Sequence, residues 1–238
     1  MRYKIGRGQG ISCDMVQKKS SSPGTSDSGP RQRGRPRAYD ADAALAQAMS
    51  AFWRFGYSAT SLDQLSDATD MNRPSLYAAF GDKRALYLQT LDRYTERSKE
   101  GIAKALDPQL SLAEGLQRFY DSALAAYLPS GDPARGCYLI GTAVTEALGD
   151  EEVRTRLASA LREFERMLEA RIRKAREDGE IDATADPQAL AMIASAVLYT
   201  VAIRSRAGES RTILRSMVAT AIELICGRSP ARKRRSRA

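Results

Sequence analysis

Apolar residues recur three and four positions apart from about residue 41 to residue 226, and no stretch of any length alternates as a half-buried strand does. The spacing predicts a first helix over about Asp40 to Phe55, with Ala44, Leu45, Ala48, Met49 and Phe52 as its apolar stripe and Trp53 beside it. A long helix over Lys83 to Leu106 follows a shorter, more polar stretch. Leu112, Leu116, Phe119, Ala123 and Tyr127 mark a helix within Leu110 to Leu128, which Pro129 to Pro133 ends. Gly136 to Leu148 reads as a short, largely apolar helix. In Glu151 to Asp178 one face carries Val153, Leu157, Leu161, Phe164, Leu168 and Ile172, and Gly179 closes it. Pro187 to Ala207 and Ser210 to Cys226 form a last pair joined at Gly208. The expected fold is all-α, with about nine helices.

Residues 60 to 80 carry the most specific signal. Ser61 and Gln64 have the spacing of a capping box, and Leu62, Leu65 and Ala68 then share one face. Asp70 and Asn72 tolerate left-handed geometry or bond their own backbone, with Met71 between them as an apolar plug, so the chain can reverse there. Asn72 suits the N-cap of a second short helix, and Pro74 falls in its first turn, where a missing N–H costs nothing. Leu76 and Phe80 then face inward, leaving Arg73, Ser75, Tyr77 and Ala78 outward. Two short helices joined by a tight turn are the arrangement that presents a helix to the DNA major groove.

Tyr57 to Lys83 resembles the DNA-binding core of the TetR family of bacterial transcriptional repressors. The resemblance rests on Phe52 and Gly56-Tyr57 in and after the preceding helix, the Thr60-Ser61 start, the Ser75-Leu76-Tyr77-x-x-Phe80 ending, and Lys83 opening the next helix. It is sharp over about residues 40 to 95. Two positions depart from the family pattern: Asp70 and Pro74 stand where many relatives carry glycine. The resemblance implies an N-terminal three-helix helix-turn-helix head and a larger helical body that binds an effector and dimerises. The divisions expected are a basic arm over 1–38, the head over 39–85, the body over 86–226 and a basic tail over 227–238. By chemistry, Arg73 suits guanine O6 and N7, while Pro74, Ser75 and Ala78 suit base edges or a thymine methyl. Tyr77 is assigned to a phosphate. Asn72, Thr60, Ser61 and Lys83 lie at helix starts, where amides, hydroxyls and an ammonium hold phosphates; for Thr60 and Ser61 simple capping is the plainer role.

Charge refines this picture. The net charge of +8 is carried by the ends: residues 1–38 hold nine Lys/Arg and two Asp, residues 227–238 hold six Lys/Arg and no acid, and the 188 residues between them sum to −5. The high pI therefore describes two arms rather than the folded surface. The first 38 residues, rich in Ser, Gly and Pro, are expected to be disordered without DNA, and Met15 is a candidate start. Arg33-Gly34-Arg35-Pro36-Arg37 resembles the core of an AT-hook; it is either a minor-groove or phosphate arm contacting DNA through Arg33, Arg35 and Arg37, or a solvated linker. There is no histidine, which removes the commonest general base and every His-containing metal site. Cys13, Cys137 and Cys226 are far apart and form no Cys-x-x-Cys pair, so neither a disulfide framework nor a zinc site is indicated, no cofactor is expected, and a reducing cytoplasm fits. No signal-peptide stretch is present, and the longest apolar run, Leu190 to Ile203, is too short to span a bilayer, so a soluble protein is expected.

The Pro187 to Ala207 helix is apolar around more of its circumference than one buried face requires. Leu190, Ile193, Val197 and Val201, with Ile213, Met217, Ala221 and Leu224 of the last helix, are candidates for a two-fold homodimer interface; the other reading is a buried core helix in a monomer. An effector cavity, implied by the resemblance, has Phe119, Tyr120, Tyr127, Tyr138, Phe164 and Tyr199 as candidate walls, each also readable as core. Cys137 follows Arg135-Gly136 near an expected helix N-terminus, where a dipole and a cation favour a thiolate that reacts with an electrophile or oxidant; the plainer reading is a small buried hydrophobe. Three functions follow in order: a homodimeric DNA-binding repressor released by a small molecule, a DNA-architectural protein using its basic tails without an effector, and a thiol enzyme around Cys137, for which no His supplies a base.

Overall fold

The computed structural model describes residues 40–131 and 133–227. Arg33, Arg35 and Arg37 and residues 228–238 lie outside the described residues. Within them the chain forms nine α-helices and no strand. The head comprises α1 (Ala41–Phe55), α2 (Leu62–Thr69) and α3 (Arg73–Phe80); α4 (Lys83–Ala105) leads into the body of α5 (Leu112–Tyr127), α6 (Val144–Glu146), α7 (Glu151–Glu177), α8 (Pro187–Arg206) and α9 (Arg211–Ile225).

Most helices start where a short polar side chain satisfies free amides. Asp40, Ser61, Asn72, Asp82, Ser111, Asp150, Asp186 and Ser210 each accept from backbone N–H groups of the turn that follows. Ser61 with Gln64 and Ser111 with Glu114 complete reciprocal capping boxes. Helices read as beginning at Asp40 and Ser210 therefore begin one residue later, because those residues are the caps.

The expected helix over Gly136 to Leu148 is the main departure. Residues 133–137 are irregular, Leu139–Ala143 is π-wound, and only Val144–Glu146 is α-helical. Gly136 explains the irregular start: its φ is +63°, and a Cβ there would lie 2.5 Å from the Ala202 carbonyl oxygen of α8. The chain passes too close to α8 at that point for any side chain.

One continuous core runs from Ala44 in α1 to Ile225 in α9. In the body α7 packs along α8, α8 along α9 and α5 across both, while α4 spans from α1 to α7. By length and composition α8, at 20 residues, is long and apolar enough to cross a bilayer, unlike the shorter run read from sequence. Its Ala191, Ala194, Leu198, Val201 and Ala202 are instead part of this core.

Polar pairs fix where α4 meets α7. Arg84, in the first turn of α4, holds both oxygens of Asp150 at 2.6 and 2.9 Å and Glu152 at 2.8 Å, and Arg156 joins Glu152 to Asp92. Asp150 also caps α7. Its carboxyl is held down to about 2, chiefly by Arg84 and then by the Val153 and Glu152 amides. A carboxyl lower in the folded than in the unfolded chain stabilises the fold above its unfolded value of 3.8, and that stabilisation disappears as pH falls to about 2. Asp150→Asn keeps a competent cap and loses the ion pairs. Thermal melts should therefore show a lower Tm for the variant at neutral pH and a smaller further fall between about pH 4 and pH 2 than in the parent.

Candidate nucleic-acid interface and the cavity behind it

The α2–α3 reversal is made by Asp70, whose φ of 50° and ψ of 33° are left-handed. Met71 N donates to Ser66 O at 3.2 Å, and the Met71 side chain is 7% exposed, plugging the turn. Asn72 then accepts from Ser75 N at 2.9 Å, and Pro74 sits in the first turn of α3. Leu76 and Phe80 are buried against the head core, so Asn72, Arg73, Pro74, Tyr77 and Ala78 are exposed, with Ser75 partly so. α3 thus offers a solvent face bearing one guanidinium, one phenol and small groups.

Arg73 is already engaged. Its Nε and Nη2 donate to Asp63 Oδ1 of α2 at 3.0 and 2.6 Å, with both side chains more than half exposed. An exposed pair of this kind contributes about 0–1 kcal/mol, so a better acceptor can replace it. Asp63 went unnoticed in the sequence because a pair between two helices leaves no periodic trace.

The helix starts differ from expectation at one position. Thr60 is 1% exposed and its hydroxyl donates to the Gly56 carbonyl at 2.5 Å, so its side chain does not reach a phosphate. Ser61 is exposed; its oxygen accepts from Gln64 N at 3.1 Å and its proton remains to donate. Lys83 holds its ammonium 4.5 Å from the Tyr57 ring centre and 3.5 Å from the Ser58 carbonyl, and partial burial lowers its pKa. Ser58 in turn donates to Glu146 of α6 at 2.7 Å.

Behind the head lies a cavity of about 300 Å³, walled by α1, α4, α5, α7, α8 and the irregular segment before α6. Phe119, Tyr127, Cys137, Phe164 and Tyr199 line it. Tyr120 and Tyr138 do not: Tyr120 is fully buried with its hydroxyl on Ala194 O at 2.8 Å, and Tyr138 lies behind the wall with its hydroxyl 2.7 Å from Thr90 Oγ1. Among the walls that were not expected are Met49 and Trp53 of α1 and Tyr94 of α4. Trp53 stood beside the α1 stripe in the sequence, but nothing there tells a junction residue from a wall.

Among the described residues no Asp or Glu lines the cavity, and Arg97, at its exposed edge, is the one charged residue in the wall. Cys137 is 7% exposed, with Sγ 3.4 Å from the Tyr94 hydroxyl. Burial, then the neighbouring Cys137, pushes the Tyr94 and Tyr127 hydroxyls well above the usual phenol range, so both stay protonated and available to donate. Arg135, expected beside the thiol, instead lies 4.4 Å above the Trp53 ring and donates to Ala126 O at 3.3 Å. Nor does Cys137 open an α-helix, since π-wound Leu139–Ala143 follows it.

Of the candidate dimer residues, Ile193, Ile213 and Leu224 are at least half exposed, and Leu190, Val197 and Met217 are half-buried. Val201 and Ala221 are inside the chain's own core, at 0% and 8% exposure, and cannot face a partner. Met192 and Ile203, at 55% and 58%, extend the exposed apolar face instead.

Known proteins share this architecture. Residues 44–90 match the family model described as bacterial regulatory proteins, tetR family, and residues 113–221 match that of the tetracyclin repressor-like C-terminal domain. The HTH-type transcriptional repressor ComR of Escherichia coli (strain K12) is 32% identical over 194 residues, covering 82% of this chain and 92% of that protein. The HTH-type transcriptional repressor BdcR of the same strain is 32% identical over 126 residues, covering 53% of this chain and 59% of that protein. Among solved structures, a cysteine-substituted variant of the TetR family transcriptional regulator CifR, complexed with 26bp double-strand operator DNA, superposes with a TM-score of 0.72 at 33% identity, covering 80% of this chain and 98% of that one.

A structural role for Thr60 has a direct check. Thr60→Val should lower unfolding free energy in urea by about 1 kcal/mol. The dependence of DNA affinity on salt should remain that of the parent, because no phosphate contact is lost.

Proposed function

Because the chain belongs to the TetR family of bacterial regulatory proteins, we propose that it acts as a cytoplasmic, homodimeric repressor that reads a palindromic operator and is released by a small molecule or electrophile in the cavity behind its head. The observation that carries this reading is the outward face of α3, set beside helix starts whose hydroxyl, ammonium and amides suit phosphates. One such head makes too small an interface for tight specific binding, whereas two heads roughly 34 to 36 Å apart enter successive major grooves. The partner is a second copy packed on the exposed face of α8 and α9 that carries Met192, Ile193, Ile203, Ile213 and Leu224. Arg33, Arg35 and Arg37, directly before α1, add a minor-groove or phosphate contact, and the C-terminal basic run adds nonspecific phosphate attraction.

Release requires an effector that binds the DNA-incompetent arrangement better than the competent one. The cavity suits a small, largely apolar molecule carrying a hydrogen-bond acceptor for Tyr94 or Tyr127, and Cys137 offers such a molecule a nucleophile if it is electrophilic.

Protection mapping of DNA flanking the gene tests this reading. A discrete palindromic footprint, persisting after residues 1–30 are removed, is expected; diffuse protection that disappears with the arm would replace it with an architectural role. Arg73→Ala should relax base preference at one position per half-site by about 1–3 kcal/mol, while Lys83→Ala weakens all sequences alike and reduces the salt slope by about 1 per half-site. Equal loss of discrimination in both variants would overturn these roles. Ile193→Arg with Leu224→Glu should give a folded monomer in sedimentation and abolish the palindromic footprint.

A further inference from the structure

We infer that Trp53 is the positioning residue that carries a change in the cavity to the DNA-binding head, an inference that rests on the effector role proposed for that cavity. Trp53 belongs to α1, which forms the head with α2 and α3, yet it is part of the cavity wall, as is Met49 one turn earlier. It is 6% exposed, and its indole N–H donates to the carbonyl of Gly136, the residue before Cys137, at 3.1 Å. Tyr94 joins the two: its hydroxyl is 3.4 Å from Cys137 Sγ and its ring packs edge-on against Trp53 with centroids 5.4 Å apart. The Arg135 guanidinium covers the Trp53 ring at 4.4 Å. A group added to Sγ, or a ligand that outgrows the space beside it, presses first on Tyr94 and through its ring on Trp53.

The body side of this contact is held by two neighbouring helices. Gly136 lies so close to α8 that a Cβ would be 2.5 Å from Ala202 O, and the Arg135 and Gly136 amides both donate to Tyr127 O at the end of α5, at 3.0 and 3.4 Å. The mobile partner is then the indole. α1 packs against both α2 and α4, so a shift of the ring tilts the helix that braces α3. Coupling through α1 differs from coupling through a tilting α4 alone, because the first helix of the head is itself in the wall.

The test uses the full-length protein with Cys13→Ser and Cys226→Ser, so that Cys137 is its one thiol, and methyl methanethiosulfonate as the probe. The Cys137 thiolate, its proton lost to water, attacks the sulfenyl sulfur; a mixed disulfide with a thiomethyl group forms and methanesulfinate leaves. Operator affinity is measured before and after labelling, and the ratio is compared within each variant so that any change in basal affinity cancels. The parent ratio should be at least about tenfold and revert on reduction with dithiothreitol. Trp53→Phe and Arg135→Met should label to the same extent by mass spectrometry while their ratios fall below about twofold. Trp53 is the chain's one tryptophan, so in the parent its emission should change on labelling and again when operator is added. If Trp53→Phe fails to fold, the partly exposed Arg135→Met decides. Variants that label and keep the parental ratio overturn the role of Trp53 alone. A parent that labels without losing affinity, or does not label at all, overturns the effector reading at Cys137 and this inference with it.

Discussion

Tyrosine hydroxyls buried between the head and the body have to be hydrogen-bonded, and that requirement fixes how the two are joined. Tyr87 of α4 is fully buried with its hydroxyl on Thr142 Oγ1 at 2.9 Å, while Tyr138 is equally buried with its hydroxyl 2.7 Å from Thr90 Oγ1. Thr142 in turn donates to the Tyr138 carbonyl at 2.9 Å. An unpaired hydroxyl in such a place costs about 1–3 kcal/mol, so α4 and the π-wound segment are held at one register. Burial pushes both phenols well above their usual range, so they stay neutral donors at any physiological pH. The rings continue the contact into α1 and the turn after it, with Phe52 and Tyr57 packed on Tyr87 and Trp53 on Tyr138. The π-winding of Leu139–Ala143 falls within this polar lock, at a place where Thr142 and Tyr138 must both meet α4.

The reading head obeys a different economy. Asp70 stands where many TetR relatives hold glycine, and it nevertheless adopts the left-handed conformation that a glycine there provides without strain. A short polar side chain tolerates that geometry better than a branched or bulky one, so the turn keeps its shape despite the substitution. Pro74, the other departure, occupies a first-turn position where its missing amide has no helical acceptor to lose. The head is therefore conventional in backbone and particular in side chains: Arg73 rests on Asp63, and the first turn of α3 is stiffened by proline.

Much of this was legible from the sequence because it is local. The Ser61–Gln64 box, the Asn72 cap, the buried Leu76 and Phe80 and the helix-breaking glycines all act within a few residues, and periodicity reports them directly. The segment after Gly136 was misread because its winding answers to α8 and α4, distant in sequence, rather than to its own apolar spacing. Thr60 and Val201 were misassigned for a related reason: a hydroxyl at a helix start and a valine on an apolar helix have the same sequence signature whether they face solvent, a partner or the core. Cavity walls are less legible still, since Tyr120 and Tyr127 lie on one helix seven residues apart and only Tyr127 meets the space. Which aromatic lines a void depends on how several helices fail to touch, and no single helix encodes that.

α8 is where these constraints converge. Its Ala202 carbonyl bounds the position of Gly136, its Leu198 and Tyr199 line the cavity, and its Met192, Ile193 and Ile203 form the exposed face proposed for a second copy. A helix packed on three sides cannot shift toward one neighbour without losing contact with another, because close-packed interiors rearrange between discrete arrangements rather than deforming smoothly. Dimerisation through α8 and α9 would fix the body side of the cavity further, leaving α1 and the head as the part with freedom to respond. The association proposed to supply two reading heads would thus also direct where a perturbation in the cavity is felt. The stretch from Gly136 to Glu146, which contains the π-wound turn and is held by Trp53 at Gly136 and by Ser58 at Glu146, would be the length of chain over which that response is set.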